Sequence, residues 1–272
     1  MNTRLVIGLA LLGLAHATGQ PSTTGPAKGA LILVGGGANR PAFIKPFVEL
    51  AGGANASIVL IPTTLEDDRL TPDGIAQLRA RVVEVFGAPH ITVVHTRDRR
   101  VADSPEFVEP LRHAGGVWIL GGNEDYLMDA YTGTRTQGEV RALLARGGVV
   151  GGTSAGAIIQ GSTAVRGESS LAKLRIDSQH VPFGLLSNAV IRPHWSQRSL
   201  RDVFAVPLAA RPDLLGIGID EATAAVIQQN RLEVVGDGHV GIYDGRTHDG
   251  KPYADLTSGQ RFDLSTGALS RQ

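Results

Sequence analysis

Five short stretches leave this chain few folds to choose from. They are ALILVGGG at 30–37, SIVLIPTT at 57–64, HITVVHT at 90–96, GVWILGGN at 116–123 and GVVGGTSAG at 148–156. A strand with one wet face alternates apolar and polar residues, whereas a largely unbroken apolar run predicts a strand covered on both sides. Helical patterns lie between the runs. PAFIKPFVELAGG (41–53) spaces Phe43, Phe47 and Leu50 as a helix does, ahead of Gly52. TPDGIAQLRARVVEVFGA (71–88) has Pro72 in its first turn and Gly87 near its end. SPEFVEPLRHAGG (104–116) predicts a short helix capped by Ser104, and GEVRALLARGG (138–148) predicts another. This alternation predicts an α/β fold: a doubly wound, mostly parallel sheet with helices on both faces. Ligands of such sheets sit beyond the carboxyl ends of the strands. The glycines at 35–37, 121–122 and 151–152 are therefore expected to border one crevice.

The second half changes character. AVIRPHW (189–195) and LLGIGIDEATAAVIQQNRLEVVGDGHVGIYDG (214–245) read as strands joined by tight turns. One continuous domain over 29–245 is expected, its sheet ending in antiparallel strands, followed by a polar extension over 246–272. The N-terminus carries Arg4, an apolar run from Leu5 to Ala15 and a small-x-small site at Ala15-His16-Ala17. Eleven apolar residues are too few to span a bilayer comfortably, and the pattern predicts a signal peptide cleaved after Ala17. Residues 18–28, rich in Gly, Pro and Thr, are expected to be a disordered leader. The mature chain would be secreted or periplasmic and free of the membrane. An uncleaved, buried N-terminal segment is the alternative.

Composition narrows the chemistry. Lys plus Arg and Asp plus Glu both number 26, a balance that argues against general nucleic-acid binding. There is no cysteine, so thiolate nucleophiles, disulfides and cysteine metal sites are all excluded. No residue cluster has zinc-site spacing. A dinucleotide reading of Gly35-Gly36-Gly37 fails at Arg40, where glycine or alanine is needed.

The chemistry-bearing motif is Gly152-Thr153-Ser154-Ala155-Gly156, a G-x-S-x-G pattern between an apolar strand and a helix start. Such a turn projects the serine hydroxyl outward, and the helix N-terminus offers amides and dipole to a developing oxyanion. The same pattern also serves as a purely structural turn. A serine nucleophile needs a base and a carboxylate to orient that base. His194, in VIRPHWSQR, follows a strand and precedes a helix cap at Ser196; a structural histidine is the alternative reading. GIGIDEATAAV places Asp220 and Glu221 at a strand end, where buried acids need partners, or else an exposed turn.

Taken in order, GGTSAGA, HWSQR and GIGIDEATA resemble the cyanophycinase and aspartyl dipeptidase family of serine peptidases. The opening strands and GVWILGGNEDYLMDAY resemble it too, so that the likeness covers roughly residues 29–245. The resemblance implies a flavodoxin-like sheet related to class I glutamine amidotransferases, with serine in place of their cysteine. It implies a Ser-His-Glu triad of Ser154 (nucleophile), His194 (general base, then acid) and Glu221 (orienting carboxylate), with Glu168 as an alternative acid. The oxyanion hole would use the amides of Gly122 and Ala155. The reaction would be hydrolysis of a peptide or isopeptide bond at an aspartyl residue, through an acyl-enzyme, with neither metal nor cofactor. An α-aspartyl dipeptidase and a non-catalytic binding protein are the other readings. Two positions depart from the family. Arg192-Pro193 stands where the family has Asp-Gln or Asp-Pro, and Asn123-Glu124 follows the glycine pair where Asp/Asn-Gln is usual. Asn123, Glu124 and Arg192 are thus candidate substrate contacts. Arg192 would disfavour an arginine side chain nearby, and Glu124 would attract one. Arg198 and Arg201, expected at the start of the next helix, could bind a substrate carboxylate or be solvated surface residues. A homodimer is left open.

Overall fold

The computed structural model describes residues 25–37, 39–166, 174–177 and 179–270. The expected signal peptide, residues 18–24 of the leader and Glu168 lie outside the described residues. The first half runs β1 (Ala30–Val34), α1 (Pro41–Leu50), β2 (Ile58–Ile61), α2 (Pro72–Phe86), β3 (Ile91–Val93), α3 (Arg99–Ala102), α4 (Glu109–His113), β4 (Gly116–Ile119), α5 (Glu124–Tyr131), α6 (Arg135–Ala145) and β5 (Val149–Thr153). Every residue of β1, β2 and β4 is buried, as unbroken apolar runs demand. β1 lies parallel to β5, and β4, β2 and β3 continue the parallel order.

One face of this sheet is covered by α1 and α2, whose Phe43, Phe47 and Phe86 share a core with Trp118 of β4. The rings meet edge to face, Phe47–Trp118 at 4.9 Å and Phe86–Trp118 at 5.2 Å between centroids. The other face takes Leu127 and Tyr131 from α5 and Val140 and Leu143 from α6. The helix ends follow local chemistry. Thr71 Oγ1 accepts the Gly74 amide at 3.1 Å, and Gly87 closes α2 with φ 62°. Ser104 does not cap a helix as expected. Its hydroxyl accepts the Phe107 amide across a turn, and α4 begins only at Glu109, with Pro110 in its first turn.

After Thr153 come α7 (Ala155–Ile158), β6 (Ala164–Arg166), β7 (Arg175–Asp177), β8 (Ala189–Pro193), α8 (Ala205–Ala209), β9 (Leu215–Ile219), β10 (Thr223–Gln228), β11 (Arg231–Gly236), β12 (His239–Tyr243), β13 (Ala254–Thr257), β14 (Arg261–Asp263) and β15 (Leu269–Ser270). The antiparallel strands expected at the end of one sheet divide between two. β10, β11, β14 and β15 extend the main sheet from the β1 side. β8, β9, β12 and β13 form a smaller sheet in which β8 and β9 are parallel. The division arises at residues 220–222. β9 ends at Ile219, Ala222 adopts φ 55°, and β10 starts at Thr223 in the other sheet. Leu31 and Leu33 of β1 share one core with Ile217, Ile219, Val240 and Ile242 of the smaller sheet. The polar stretch after residue 245 adds β13 to the small sheet and β14 and β15 to the large one. The fold is thus mixed α/β, with a parallel centre and antiparallel additions. Among the described residues no helix is long and apolar enough to cross a membrane.

Candidate active site

β5 carries Ser154 past its end on a strained turn with φ 53° and ψ −114°. A side chain disfavours that backbone by about 1–3 kcal/mol, so the surroundings must impose it. The Ser154 amide donates to Val34 O at 2.9 Å, and its carbonyl accepts from the amides of Ala157 and Ile158. Glycines make the bend feasible. A Cβ on Gly152 would lie 2.3 Å from Gly156 O, and one on Gly156 would lie 2.3 Å from Ile119 O. α7, which follows, is a single turn of four residues. It supplies local amides rather than the field of a long helix.

β8 delivers His194 in the same manner, just past Pro193, with φ 54° and its amide donating to Gly35 O at 2.8 Å. His194 Nε2 lies 2.8 Å from Ser154 Oγ, and Nδ1 lies 2.7 Å from Glu221 Oε1. Glu221 stands at the crossing between the two sheets. The imidazole is 15% exposed and the glutamate side chain 41%, so the ring is shielded while its partner faces water. The three glycine-bearing strand ends converge here. A Cβ on Gly36 would come within 2.3 Å of His194 Cε1, one on Gly37 within 3.1 Å of Glu221 Cβ, and one on Gly121 within 3.2 Å of Ser154 Cβ. The glycine triplet after β1 therefore makes room for the histidine and the glutamate. Among the described residues, the Gly122 and Ala155 amides make no hydrogen bond, whereas the amides of Asn123 and Ser154 donate to Thr64 O and Val34 O.

The other sequence candidates have more specific occupations. Asn123 caps α5, its Oδ1 accepting the Asp125 amide at 3.0 Å. Glu124 is already paired with Arg166 of β6 at 3.3 Å, and Arg166 also holds Asp125 and Asp177. Arg192 is buried and donates from Nη1 to Val165 O at 3.0 Å. Burial pulls its guanidinium pKa down, opposed by the charge of Glu124 and reinforced by those of Arg198 and Arg166. The charge reversal at Arg192 is thus partly met from within the protein. Arg198 is exposed in a turn beside His194, its amide donating to His194 O. The expected helix does not start here; α8 begins at Ala205. Ser196 is no helix cap either, since its hydroxyl donates to Asp220 Oδ1 at 2.6 Å. Arg201 is committed to Asp220, Asp255 and the face of Trp195. Gly36 borders the site as the glycine triplet led one to expect, whereas Arg166 and Gln197 were missed as its neighbours. Neither Arg166 nor Gln197 carried a local signal.

The model of peptidase family S51 matches residues 31–235. The chain belongs to peptidase family S51. Among its relatives, a cyanophycinase from a Nostoc species is 29% identical over 236 residues, covering 83% of this chain and 78% of the relative. A cyanophycinase from Geminocystis herdmanii is 28% identical over 242 residues, covering 84% and 86%. A solved peptidase from an acI-B1 actinobacterium superposes with a TM-score of 0.69 at 28% identity, over 88% of this chain and 98% of that one. A Listeria monocytogenes protein assigned as a peptidase E shares the fold, with a TM-score of 0.52 at 17% identity, over 78% of this chain and all of that one. This S51 peptidase is accordingly a serine-type hydrolase.

Proposed function

We propose that this S51 peptidase cleaves peptide or isopeptide bonds at aspartyl residues through an acyl-enzyme formed on Ser154. The reading rests on the hydrogen-bonded chain Ser154–His194–Glu221, with contacts of 2.8 and 2.7 Å. Ser154 Oγ attacks the scissile carbonyl carbon while His194 Nε2 takes the hydroxyl proton. Glu221 accepts the Nδ1 proton in a hydrogen bond, which fixes the tautomer and stabilises the imidazolium. The amides of Gly122 and Ala155 receive the oxyanion. His194 then protonates the leaving amine, the C–N bond breaks, and an ester to Ser154 remains. Water, deprotonated by His194, hydrolyses that ester and restores the hydroxyl.

The aspartyl preference follows from the resemblance of the sequence motifs to the cyanophycinase and aspartyl dipeptidase family, and Arg198, exposed in the turn after His194, is our candidate for meeting a substrate carboxylate. The test is turnover of β-aspartyl-arginine and of Asp-Xaa dipeptides by the wild type and by Ser154→Ala. Loss of hydrolysis by at least about a thousandfold is expected, together with loss of covalent labelling by a fluorophosphonate probe. An undiminished Ser154→Ala enzyme would overturn the assignment. Exclusive turnover of Asp-Xaa dipeptides would instead make it an α-aspartyl dipeptidase. Export is part of the same proposal, and the mature protein is expected to begin at Thr18 when its N-terminus is sequenced.

A further inference from the structure

We infer that Asp220, the residue before Glu221, is a positioning residue that fixes His194 by clasping the turn behind it. Asp220 is 4% exposed, and donors surround both of its carboxylate oxygens. Oδ1 accepts the Ser196 amide at 2.9 Å and the Ser196 hydroxyl at 2.6 Å. Oδ2 accepts the His239 amide at 3.2 Å and Arg201 Nη2 at 3.3 Å. One side chain thereby ties the turn after β8 to the end of β9, the start of β12 and the segment before α8. A buried carboxylate with four donors is satisfied only as an acceptor on both oxygens.

The clasp closes in the other direction as well. Gln197 Oε1 accepts the Glu221 amide at 3.1 Å, so residues 196 and 197 hold residues 220 and 221 reciprocally. Between His194 and Ser196, the Trp195 amide donates to Ile219 O at 3.1 Å. The Trp195 ring is fully buried over Gly218 and Gly241, and its Nε1 donates to Tyr243 OH at 2.9 Å. His194 needs such support because its own backbone is strained, with φ 54°. Small losses of alignment at a base reduce rate steeply, by about a hundredfold for a displacement of about 1 Å. Asp220 does not touch Ser154 or the His194 ring; it acts through Ser196.

The inference rests on the proposed role of Ser154 and His194, and the experiment separates the two. The full-length protein and the variants Ser154→Ala, Asp220→Asn, Ser196→Ala and Asp220→Asn/Ser196→Ala are labelled with a fluorophosphonate. The endpoint counts competent sites and the time course gives the rate per site; kcat and KM on β-aspartyl-arginine are measured alongside. Asp220→Asn turns one acceptor into an NH2 group facing donors. It is expected to slow labelling by about tenfold to a hundredfold and to lower kcat with KM nearly unchanged. Ser196→Ala keeps the backbone contact and the fold, and is expected to slow labelling about threefold to tenfold. The double variant should be less impaired than the product of the single effects, because the two groups share one interaction. A lowered melting temperature with wild-type labelling rate per site in both single variants would make Asp220 merely structural and overturn the inference. Labelling that survives in Ser154→Ala would instead overturn the active-site reading itself.

Discussion

Ser154 and His194 both sit just past the carboxyl end of a strand with a parallel neighbour, and both take positive φ, 53° and 54°. They are held there by different means. The serine elbow is held by backbone: its amide on Val34 O, its carbonyl on the next turn, and Gly152 packed against Gly156. The histidine turn has a backbone tie to Gly35 O, but it also depends on side-chain bonds to distant segments: Asp220 to Ser196, Gln197 to the Glu221 amide, and Trp195 to Tyr243. Ser154 is thus aimed by a local bend built on small residues. His194 is aimed by a tertiary clasp of polar side chains.

Placing a methyl group against each site should expose the difference, and the larger loss is expected at Gly36. Its φ is 114°, and an added Cβ would lie 2.3 Å from His194 Cε1. The ring can yield only by leaving Ser154, so Gly36→Ala should lower kcat by at least about a hundredfold. Gly241 lies behind the clasp instead, where a Cβ would come within 2.2 Å of Trp195 Cζ2. That ring is buried and has no way out, so Gly241→Ala should cost about 1–3 kcal/mol of stability by overpacking. Its kcat should fall by no more than about tenfold. Paired measurements of kcat and urea unfolding check the contrast. Equal losses of kcat in the two variants would show that His194 is held as tightly from behind as from the front.

The same contrast explains what could be read without coordinates. The strands of the parallel half announce themselves because burial on both faces leaves no polar alternation, and the elbow announces itself because a strained bend selects glycine locally. His194 and Glu221 were legible as residue types at strand ends. Asp220 was visible only as a neighbouring acid, because its donors come from Ser196, Arg201 and His239, at separations no short pattern records. Arg201 was read as a substrate contact or a solvated surface residue for the same reason, and its partners Asp220 and Asp255 went unseen. The division of the C-terminal strands between two sheets turns on the backbone of Ala222, a residue whose identity gives no hint of positive φ. Glu124 was read as a charge that would attract an arginine, but its partner within the chain, Arg166, lies 42 residues away and could not be named from the sequence.

The smallest expected effect on kcat bears on whether the two halves stand or fall together. Each contains a buried tyrosine. Tyr131 hydrogen-bonds Thr63 Oγ1 at 2.7 Å and accepts the Thr96 amide at 3.2 Å. Tyr243 accepts from Trp195 Nε1 and donates to Arg201 O at 2.6 Å. Burial pushes the Tyr131 hydroxyl up to about 12, against the lowering effect of Thr63, Thr96 and Arg97, and burial likewise raises Tyr243. A group whose pKa is raised in the folded state gives full stability below the unfolded value, near 10, and loses it as pH climbs toward the folded value. For Tyr131 the loss amounts to at most about 3 kcal/mol, at about 1.4 kcal/mol per pH unit. Urea unfolding between pH 9 and 11.5 should therefore show a declining stability, and either Tyr131→Phe or Tyr243→Phe should flatten the decline. Because Leu31 and Leu33 share a core with Ile217 and Ile219, both substitutions should act on one cooperative transition. Tyr243→Phe should also lower kcat about twofold, since it strips Trp195 of its acceptor, whereas Tyr131→Phe should leave kcat unchanged. Two separate transitions, each answering to one tyrosine, would mean that the sheet carrying His194 unfolds independently of the sheet carrying Ser154.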